Sequence, residues 1–290
     1  MLRDRLLYGP VFIAALIGLV WGDHAIAQST GVEAALIYPA MLALAVLAAL
    51  EFTAMVRARG VAISRGMTVF AVALGVTVSS FTPDDLQAIS GVAVACTAAG
   101  VVLVSSMAYS ARKKSAEGVV GAAAATVMAF VYIGLLAGFF VVLAKDYSGW
   151  LVLGVLLTTK SCDIGAYFTG SAIGKHKLIV WLSPKKTWEG LAGGVLTSTL
   201  VGALIVWLSP PAYAPLEVWH GAVLGCTFGL VGQAGDLTAS LVKRDTGFKD
   251  ASKTLPGFGG VLDVVDSPLL VAPVAYWMLN MFSGHASFLS

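Results

Sequence analysis

Long apolar runs separated by short polar segments dominate this chain. A membrane-crossing helix needs about 20 apolar residues, and most of the runs approach that length. A membrane β-barrel would instead show segments of about ten residues in which apolar and polar residues alternate. The pattern therefore predicts an all-α, polytopic integral membrane protein. We expect about nine transmembrane helices, at 6–22, 34–55, 66–81, 88–108, 118–144, 150–170, 190–208, 218–242 and 261–283.

The composition agrees with this pattern, because 58% of the residues are hydrophobic and only 12% are charged. A soluble domain carries about 25% charged residues. Cys96, Cys162 and Cys226 lie far apart in apolar runs, so they predict neither a disulfide framework nor a metal site. No soluble nucleotide-binding fingerprint occurs. We expect no nucleic-acid partner.

The first residues resemble a secretory signal, with Arg3 and Arg5 before the apolar run from Leu6 to Trp21. A short motif at 25–27 imitates a cleavage site. Because the rest of the chain is also apolar, we expect this segment to remain as the first transmembrane helix rather than to be cleaved.

Basic residues indicate the orientation. Every Lys and Arg except Lys145 and Lys160 falls at the amino end or in a loop after an even-numbered span. The basic loop residues are Arg57, Arg59, Arg65, Arg112, Lys113, Lys114, Lys175, Lys177, Lys185, Lys186, Lys243, Arg244, Lys249 and Lys253. The opposite loops hold Asp23, Asp84, Asp85, Asp146 and Glu217. The positive-inside rule predicts a cytoplasmic active face, with the amino terminus in and the carboxyl terminus out, and fits a bacterial inner membrane.

We expect a single membrane domain over residues 1–290. Residues 1–145 would form a scaffold with a lipid or dimer surface, and residues 150–283 would hold the catalytic helices and cytoplasmic loops. Small residues are abundant and allow helices to approach closely in lipid, so a homodimer is permitted, though not required.

One cytoplasmic loop follows the sixth span. Lys160 and Asp163 are three residues apart and can pair on one helix face; charges inside a membrane span often mark function. Ser183 and Pro184 predict the N-cap and first position of the seventh span. Two lysines follow at that helix start, where they would favour a bound anion. These are Lys185 and Lys186.

The most densely charged stretch is 235–267. Its first part places an acid, a hydroxyl and two cations on one helix face: Asp236, Ser240, Lys243 and Arg244. The next part, 256–260, predicts a turn whose glycines, including Gly259 and Gly260, allow close backbone approach to a ligand. Two acids then begin the ninth span: Asp263 and Asp266. Carboxylates beside cations suit Mg²⁺ bound with substrate phosphates.

This stretch resembles the signature of phosphatidate cytidylyltransferases (CDP-diacylglycerol synthases), S-x-x-K-R-x-x-x-x-K-D followed by L-P-G-H-G-G-x-x-D-R-x-D. The matching residues are Ser240, Lys243, Arg244, Lys249, Asp250, Leu255, Pro256, Gly257, Gly259, Gly260, Asp263 and Asp266. The segment 163–190 is also similar to the family, and the resemblance covers about residues 150–283. Phe258 and Val264 replace the signature histidine and arginine, so no role of those residues transfers to them.

The resemblance implies a nucleotidyltransferase that moves a cytidylyl group from CTP to phosphatidate, giving CDP-diacylglycerol and pyrophosphate for phospholipid synthesis. It implies Asp236 and Asp263 as Mg²⁺ ligands and leaves room for a second cation. We expect catalytic or phosphate-binding roles for Lys243, Arg244 and Lys249, with Asp250 and Asp266 as further ligands or organisers. From the other loop, Asp163, Lys185 and Lys186 are expected near the substrate, in a cleft between spans six to nine.

Two other functions are alternatives for a chain with this pattern. A CTP-dependent lipid kinase of the polyprenol or dolichol type would transfer the γ-phosphoryl group instead. An anion transporter would place ionisable residues near the membrane midplane, often within inverted repeats. Most charges here gather at the cytoplasmic edge, apart from Lys160, Asp163 and Glu51. The expected partners are therefore CTP, phosphatidate and membrane lipids.

Overall fold

The computed structural model of the chain describes residues 2–80, 91–112, 114–209, 216–255 and 257–283, and of residues 2–7 it describes the backbone only. The predictions that concern Asp84, Asp85, Lys113, Pro256 and the side chains of Arg3 and Arg5 lie outside the described residues.

The described chain is almost entirely helical, as the apolar runs predict. A helix occupies each predicted span, and the fifth span contains a π-helical segment, Phe130–Leu135, between α5 and α6. The helices are α1 (Leu2–Thr30), α2 (Ile37–Ala58), α3 (Arg65–Ser80), α4 (Gly91–Ala111), α5 (Val119–Ala129), α6 (Leu136–Asp146), α7 (Gly149–Ile173), α8 (Trp188–Leu208), α9 (Val218–Asp245) and α10 (Val261–Phe282).

Seven helical stretches within the described residues are long and apolar enough to cross a membrane. They are Tyr8–Thr30, Ile37–Ala58, Gly91–Ala111, Val119–Asp146, Gly149–Ile173, Trp188–Leu208 and Val261–Phe282. α3 is a shorter apolar helix of 16 residues, and α9 ends in a charged segment. The protein is thus an integral membrane protein.

One short hairpin departs from the all-α prediction. Strands β1 (Lys177–Ile179) and β2 (Ser183–Thr187) pair antiparallel between α7 and α8. The prediction rested on long apolar runs, which indicate helices. Strands of three and five residues are too short to show a clear alternation of apolar and polar positions.

The chain forms two compact units, residues 1–142 with 243–264 and residues 143–242 with 265–290. In the first unit, α3 packs against α2, α4, α5 and the π-helical segment. A Cβ atom on Gly75 would lie 2.8 Å from the carbonyl oxygen of Phe130, so these two backbones touch directly. The same Cβ atom would lie 2.9 Å from Cα of Gly134. Close contacts between small residues of this kind hold helices together in lipid, where the hydrophobic effect does not.

In the second unit, α7 lies along α8. A Cβ atom on Gly194 would lie 2.7 Å from the carbonyl oxygen of Cys162, and one on Gly221 would lie 2.5 Å from that of Gly202. Glycines therefore bring α8 close to α7 on one side and to α9 on the other. This packing carries the polar side chains of α7 and α9 towards the β hairpin.

Candidate active site

The charged pair predicted in α7 is present. Nζ of Lys160 lies 3.4 Å from Oδ2 of Asp163, and both side chains are about one-third exposed. The other carboxylate oxygen of Asp163 accepts a hydrogen bond from Nε2 of Gln233 in α9, at 2.9 Å. Asp163 is therefore held from two sides, by its own helix and by α9.

The predicted start of the seventh span is wrong. Ser183 and Pro184 lie in β2, where Ser183 pairs with Ile179. Helix α8 begins five residues later, and Thr187 is its N-cap, with its hydroxyl accepting from the backbone N–H of Gly190 at 3.1 Å. Ser183 followed by Pro184 is a sequence typical of a helix start. In the structure these residues pair with β1, and Thr187 caps the helix.

Lys185 and Lys186 consequently lie in a strand rather than in the first turn of a helix. Strand geometry sends successive side chains to opposite sides. Lys185 is exposed and Lys186 is half-buried. Nζ of Lys186 lies 2.6 Å from Oδ2 of Asp236 and donates to Oε1 of Gln233 at 2.9 Å.

Glu189 fastens the hairpin to α8. Its carboxylate accepts from the backbone N–H groups of Lys175 and His176, each at 3.2 Å, and pairs with the His176 ring. An anion in the first turn of a helix is also favoured by the helix dipole. These contacts fix the strand that carries Lys186.

Together these elements enclose a cavity of about 410 Å³ in the second unit. Its lining includes two aspartates, two lysines and one glutamine among hydroxyl-bearing, small and apolar residues. Its lining is Asp163, Ala166, Tyr167, Gly170, Ser171, Leu178, Lys185, Lys186, Thr187, Gly190, Leu191, Gln233 and Asp236. The combination suits a phosphate-bearing ligand that arrives with a divalent cation.

Gln233 is the part of this cavity that the sequence analysis missed. It is buried, and its amide links two charged residues: it donates to Asp163 and accepts from Lys186. The available signal was a strongly polar residue inside an apolar run, three residues before Asp236 and hence on nearly the same face of α9.

A second charged cluster among the described residues lies in the first unit. Nζ of Lys243 lies 2.7 Å from Oδ1 of Asp263, and each side chain is only 10% exposed. Oδ2 of Asp263 accepts from the backbone N–H groups of Ala251 and Gly260, at 2.8 and 2.9 Å. Asp263 thus connects α9, through Lys243, with the interior and the last residue of the segment between α9 and α10.

The predicted glycine turn is confirmed in the described part of that segment. The N–H of Leu255 donates to the carbonyl of Gly259 at 2.8 Å, closing the turn. Gly257 and Gly259 have φ angles of 80° and 95°, in the region that favours glycine. A Cβ atom on Gly259 would lie 2.7 Å from Oδ2 of Asp263.

The remaining signature residues differ in exposure. Ser240 is half-buried in α9, while Lys249 and Asp250 are exposed. Arg244 is exposed and donates from Nη1 to the carbonyl of Phe248 at 3.1 Å. Asp266, in the second unit, is only 3% exposed; its Oδ1 accepts from the N–H and hydroxyl of the adjacent Ser267.

Phe258 packs where the signature has histidine. Its ring meets the ring of Phe12 edge to face at 5.6 Å between centroids. A Cβ atom on Gly9 would lie 3.9 Å from its Cζ. Val264 is half-buried in α10.

Glu51 is a second residue that the sequence analysis set aside. It is buried in α2 and accepts three hydrogen bonds, from Ser252 Oγ at 2.6 Å and from the N–H groups of Val261 and Leu262 at 2.9 Å each. Its position inside an apolar run was the only signal.

Among the described residues, no group of three or more His, Cys, Asp and Glu side chains is arranged to hold a metal ion. Asp163 and Asp236 nevertheless line one cavity. Mg²⁺ is usually bound by one or two carboxylates together with substrate phosphates and water, so this donor set fits it.

The fold is that of an integral membrane protein, and its cavity has a composition that suits phosphate-bearing ligands. More narrowly, the chain belongs to the cytidylyltransferase family, which it matches over residues 4–282.

Several curated proteins are similar to part of the chain. The phosphatidate cytidylyltransferase of Mycobacterium tuberculosis (strain H37Rv) is 38% identical over 160 residues, 53% of this chain and 46% of that protein. The phosphatidate cytidylyltransferase of Bacillus subtilis (strain 168) is 34% identical over 158 residues, 54% of this chain and 58% of that protein. The uncharacterized protein YnbB of Escherichia coli (strain K12) is 41% identical over 130 residues, 45% and 42% of the two chains. The chain thus spans about half the length of the curated relatives it matches.

Proposed function

We propose that this protein transfers a cytidylyl group from CTP to phosphatidate, producing CDP-diacylglycerol and pyrophosphate. Membership of the cytidylyltransferase family and the names of two similar proteins support the reaction. The structural observation that carries the proposal is the cavity in which Lys186 meets both Asp236 and Gln233. Cations and carboxylates converge there at one end of apolar helices.

The chemical problem in this reaction is the repulsion between two polyanions. An oxygen of the lipid phosphate forms a bond to the α-phosphorus of CTP, and the bond from that phosphorus to the bridging oxygen breaks. The electron pair leaves on pyrophosphate. Because the lipid phosphate is already ionised at neutral pH, the attack requires little help from a general base.

Lysines in the second unit offset this repulsion. Lys186 is held by Asp236 and Gln233, so its ammonium group is oriented before any substrate arrives. Such preorganised charge stabilises the negative charge that develops on the phosphoryl oxygens. The more exposed Lys185 extends the positive potential to the rim of the cavity.

We propose Mg²⁺ as the cofactor; the resemblance favours Asp236, in the second unit, and Asp263, in the first, as carboxylates that bind it. When bound, the cation would neutralise phosphate charge and orient the triphosphate. Asp163 faces the same cavity as Asp236 and is held by Lys160 and Gln233. In the first unit, Lys243, Arg244 and Lys249 are proposed phosphate contacts, and the ion pair with Lys243 orients the Asp263 carboxylate.

The membrane arrangement is also a proposal. Nine crossings, including α3 and α9, would put the basic loops on the cytoplasmic side and the amino and carboxyl termini on opposite sides. This would place the cavity at the cytoplasmic surface of a bacterial inner membrane, where CTP is available. The exposed face of α8 and other small-residue faces would permit a homodimer.

One assay tests the reaction. Purified full-length protein is incubated in phosphatidate-containing vesicles with Mg²⁺ and CTP labelled at either the α- or the γ-phosphorus. We expect α-label in the lipid and γ-label in released pyrophosphate, and Asp236→Asn should abolish both signals while remaining folded. Transfer of γ-label to lipid would instead identify a lipid kinase, and absence of label from lipid would refute both transfers.

A further inference from the structure

Glu51 contacts the stretch 235–267, which carries the signature, although it lies far away along the chain in α2. Glu51 is buried, with only 7% of the residue exposed. Burying a carboxylate is costly unless hydrogen bonds or a cation compensate. Here Oε1 accepts from Ser252 Oγ and the N–H of Val261, and Oε2 accepts from the N–H of Leu262.

These contacts complete the amino-terminal end of α10. The first N–H groups of any helix have no partner within the helix, and the helix dipole favours a negative charge there. Gly260 precedes the helix and has no side chain with which to cap it. Glu51 therefore supplies from α2 the acceptors that an N-cap serine or aspartate would otherwise supply.

Asp263 completes the same cap from within α10. As the third residue of the helix, it accepts from the N–H of Gly260, which is one half of a capping box. Glu51 takes the N–H groups of Val261 and Leu262. The two carboxylates thus accept from different N–H groups at the start of α10. Because Asp263 lies in the turn that Glu51 holds, the orientation of Asp263 depends on Glu51.

The position of the Glu51 carboxylate requires glycine at 260. A Cβ atom on Gly260 would lie 2.5 Å from Oε2 of Glu51. With Glu51 present, only glycine fits without displacement. The three atoms nearest to that Cβ all belong to Glu51, so truncating Glu51 removes these contacts, and we expect a serine at 260 then to cap α10 by itself.

We propose that Glu51 is a positioning residue: it fixes the first turn of α10 so that Asp263 is held towards Lys243 and, given the proposed function, towards the metal-associated substrate. The inference rests on the proposed function only for this last step. The cap itself can be measured in protein without metal or substrate.

Asp23 provides a matched control. It is also a buried carboxylate, 3% exposed, on an apolar helix. Its Oδ1 caps a different helix, α2, by accepting from the N–H groups of Leu36 and Ile37 at 2.7 and 3.2 Å. Glu51→Gln and Asp23→Asn therefore make the same chemical change to two carboxylate caps, and only one of those caps holds Asp263.

The first experiment is amide hydrogen exchange on the metal-free full-length protein in nanodiscs. We expect exchange at 260–263 to accelerate about tenfold in Glu51→Gln, because a hydrogen bond to a charged acceptor becomes one to a neutral group. In Asp23→Asn exchange should accelerate at 36–37 but not at 260–263. Unchanged exchange at 260–263 in Glu51→Gln would overturn the proposal.

The second experiment measures the Mg²⁺ concentration that gives half-maximal cytidylyl transfer. We expect an increase of about tenfold in Glu51→Gln and no change in Asp23→Asn. An equal increase in both variants would show a general loss of stability and would overturn the positioning role. If the wild-type protein transfers no cytidylyl group, the proposed function fails, while the exchange experiment still decides whether Glu51 holds the turn.

A rescue covers the case in which the Glu51 variants fold poorly. Gly260→Ser alone should lower amide protection at 261–263, because the serine side chain would collide with Glu51. The double variant Glu51→Ala/Gly260→Ser should recover protection at 261–263 relative to Glu51→Ala, because serine is a good N-cap. A double variant no better protected than Glu51→Ala would contradict the proposal.

Discussion

The ammonium group of Lys186 lies 2.6 Å from Oδ2 of Asp236, although the whole of α8 separates the two residues along the chain. Their side chains are 20% and 28% exposed, so water screens this pair only in part. Lys186 also donates a hydrogen bond to Oε1 of Gln233 at 2.9 Å. An incoming phosphate would therefore meet an ammonium group already held in place.

Replacing Lys186 by alanine should impair transfer strongly. Removing one preorganised donor from a site of developing negative charge costs about 10²- to 10³-fold in rate, and we expect kcat/KM for CTP to fall on that order. Lys177→Ala is the control, because Lys177 is an exposed lysine of the neighbouring strand outside the cavity lining. Equal losses in both variants would mean that only the general positive charge of the hairpin matters.

Replacing Asp263 by asparagine should abolish CTP-dependent activity while the protein stays folded in the membrane. An amide keeps the size of the side chain but removes the charge that pairs with Lys243 at 2.7 Å. It can also no longer accept through both of its terminal groups. Steady-state assays over a Mg²⁺ titration test this expectation, and turnover retained at saturating Mg²⁺ would remove Asp263 from the metal-binding set.

Gly259→Ala should reduce activity more than Gly247→Ala. Both glycines have a positive φ, 95° and 81°, so alanine brings a similar backbone cost of about 1–2 kcal/mol at either position. Only at Gly259 would the added Cβ meet the Asp263 carboxylate, whereas at Gly247 it would meet nothing within 4 Å. Similar transfer rates in the two variants would show that the backbone cost alone determines the effect.

Phe258→His should be tolerated. The Phe258 ring makes an edge-to-face contact with Phe12, and a histidine ring is flat enough to retain part of that packing. We expect less than a tenfold change in kcat/KM and a stability loss of about 1 kcal/mol, the size of one aromatic pair. Thermal unfolding and the transfer assay measure the two quantities. A large activity loss with unchanged stability would mean that the aromatic ring has a specific role in the reaction.

The positions of the helices could be predicted because the bilayer imposes both their length and their composition. A span such as 34–55 contains enough apolar residues to cross, and α2 is found there at Ile37–Ala58. The ion pair of Lys160 and Asp163 could also be predicted, since neighbours three residues apart share a helix face. The glycine turn followed from the conformational freedom of glycine.

The start of α8 could not be predicted in the same way. Ser183 and Thr187 are both good N-caps, and local sequence does not choose between them. Pairing of β2 with β1 and the contact of Glu189 with residues 175–176 decided for Thr187. Lys185 and Lys186 therefore lie on a strand.

By itself, the sequence determined that this protein is a helical membrane protein with a cytidylyltransferase-like signature, because span length, small residues and motif spacing are local properties of the chain. Only the tertiary structure decided that Gln233 joins Asp163 to Lys186 and that Glu51 caps α10. These partners are distant along the chain. Nothing in local spacing ranks one distant acceptor above another, whereas a buried carboxylate or amide must find donors wherever packing places them.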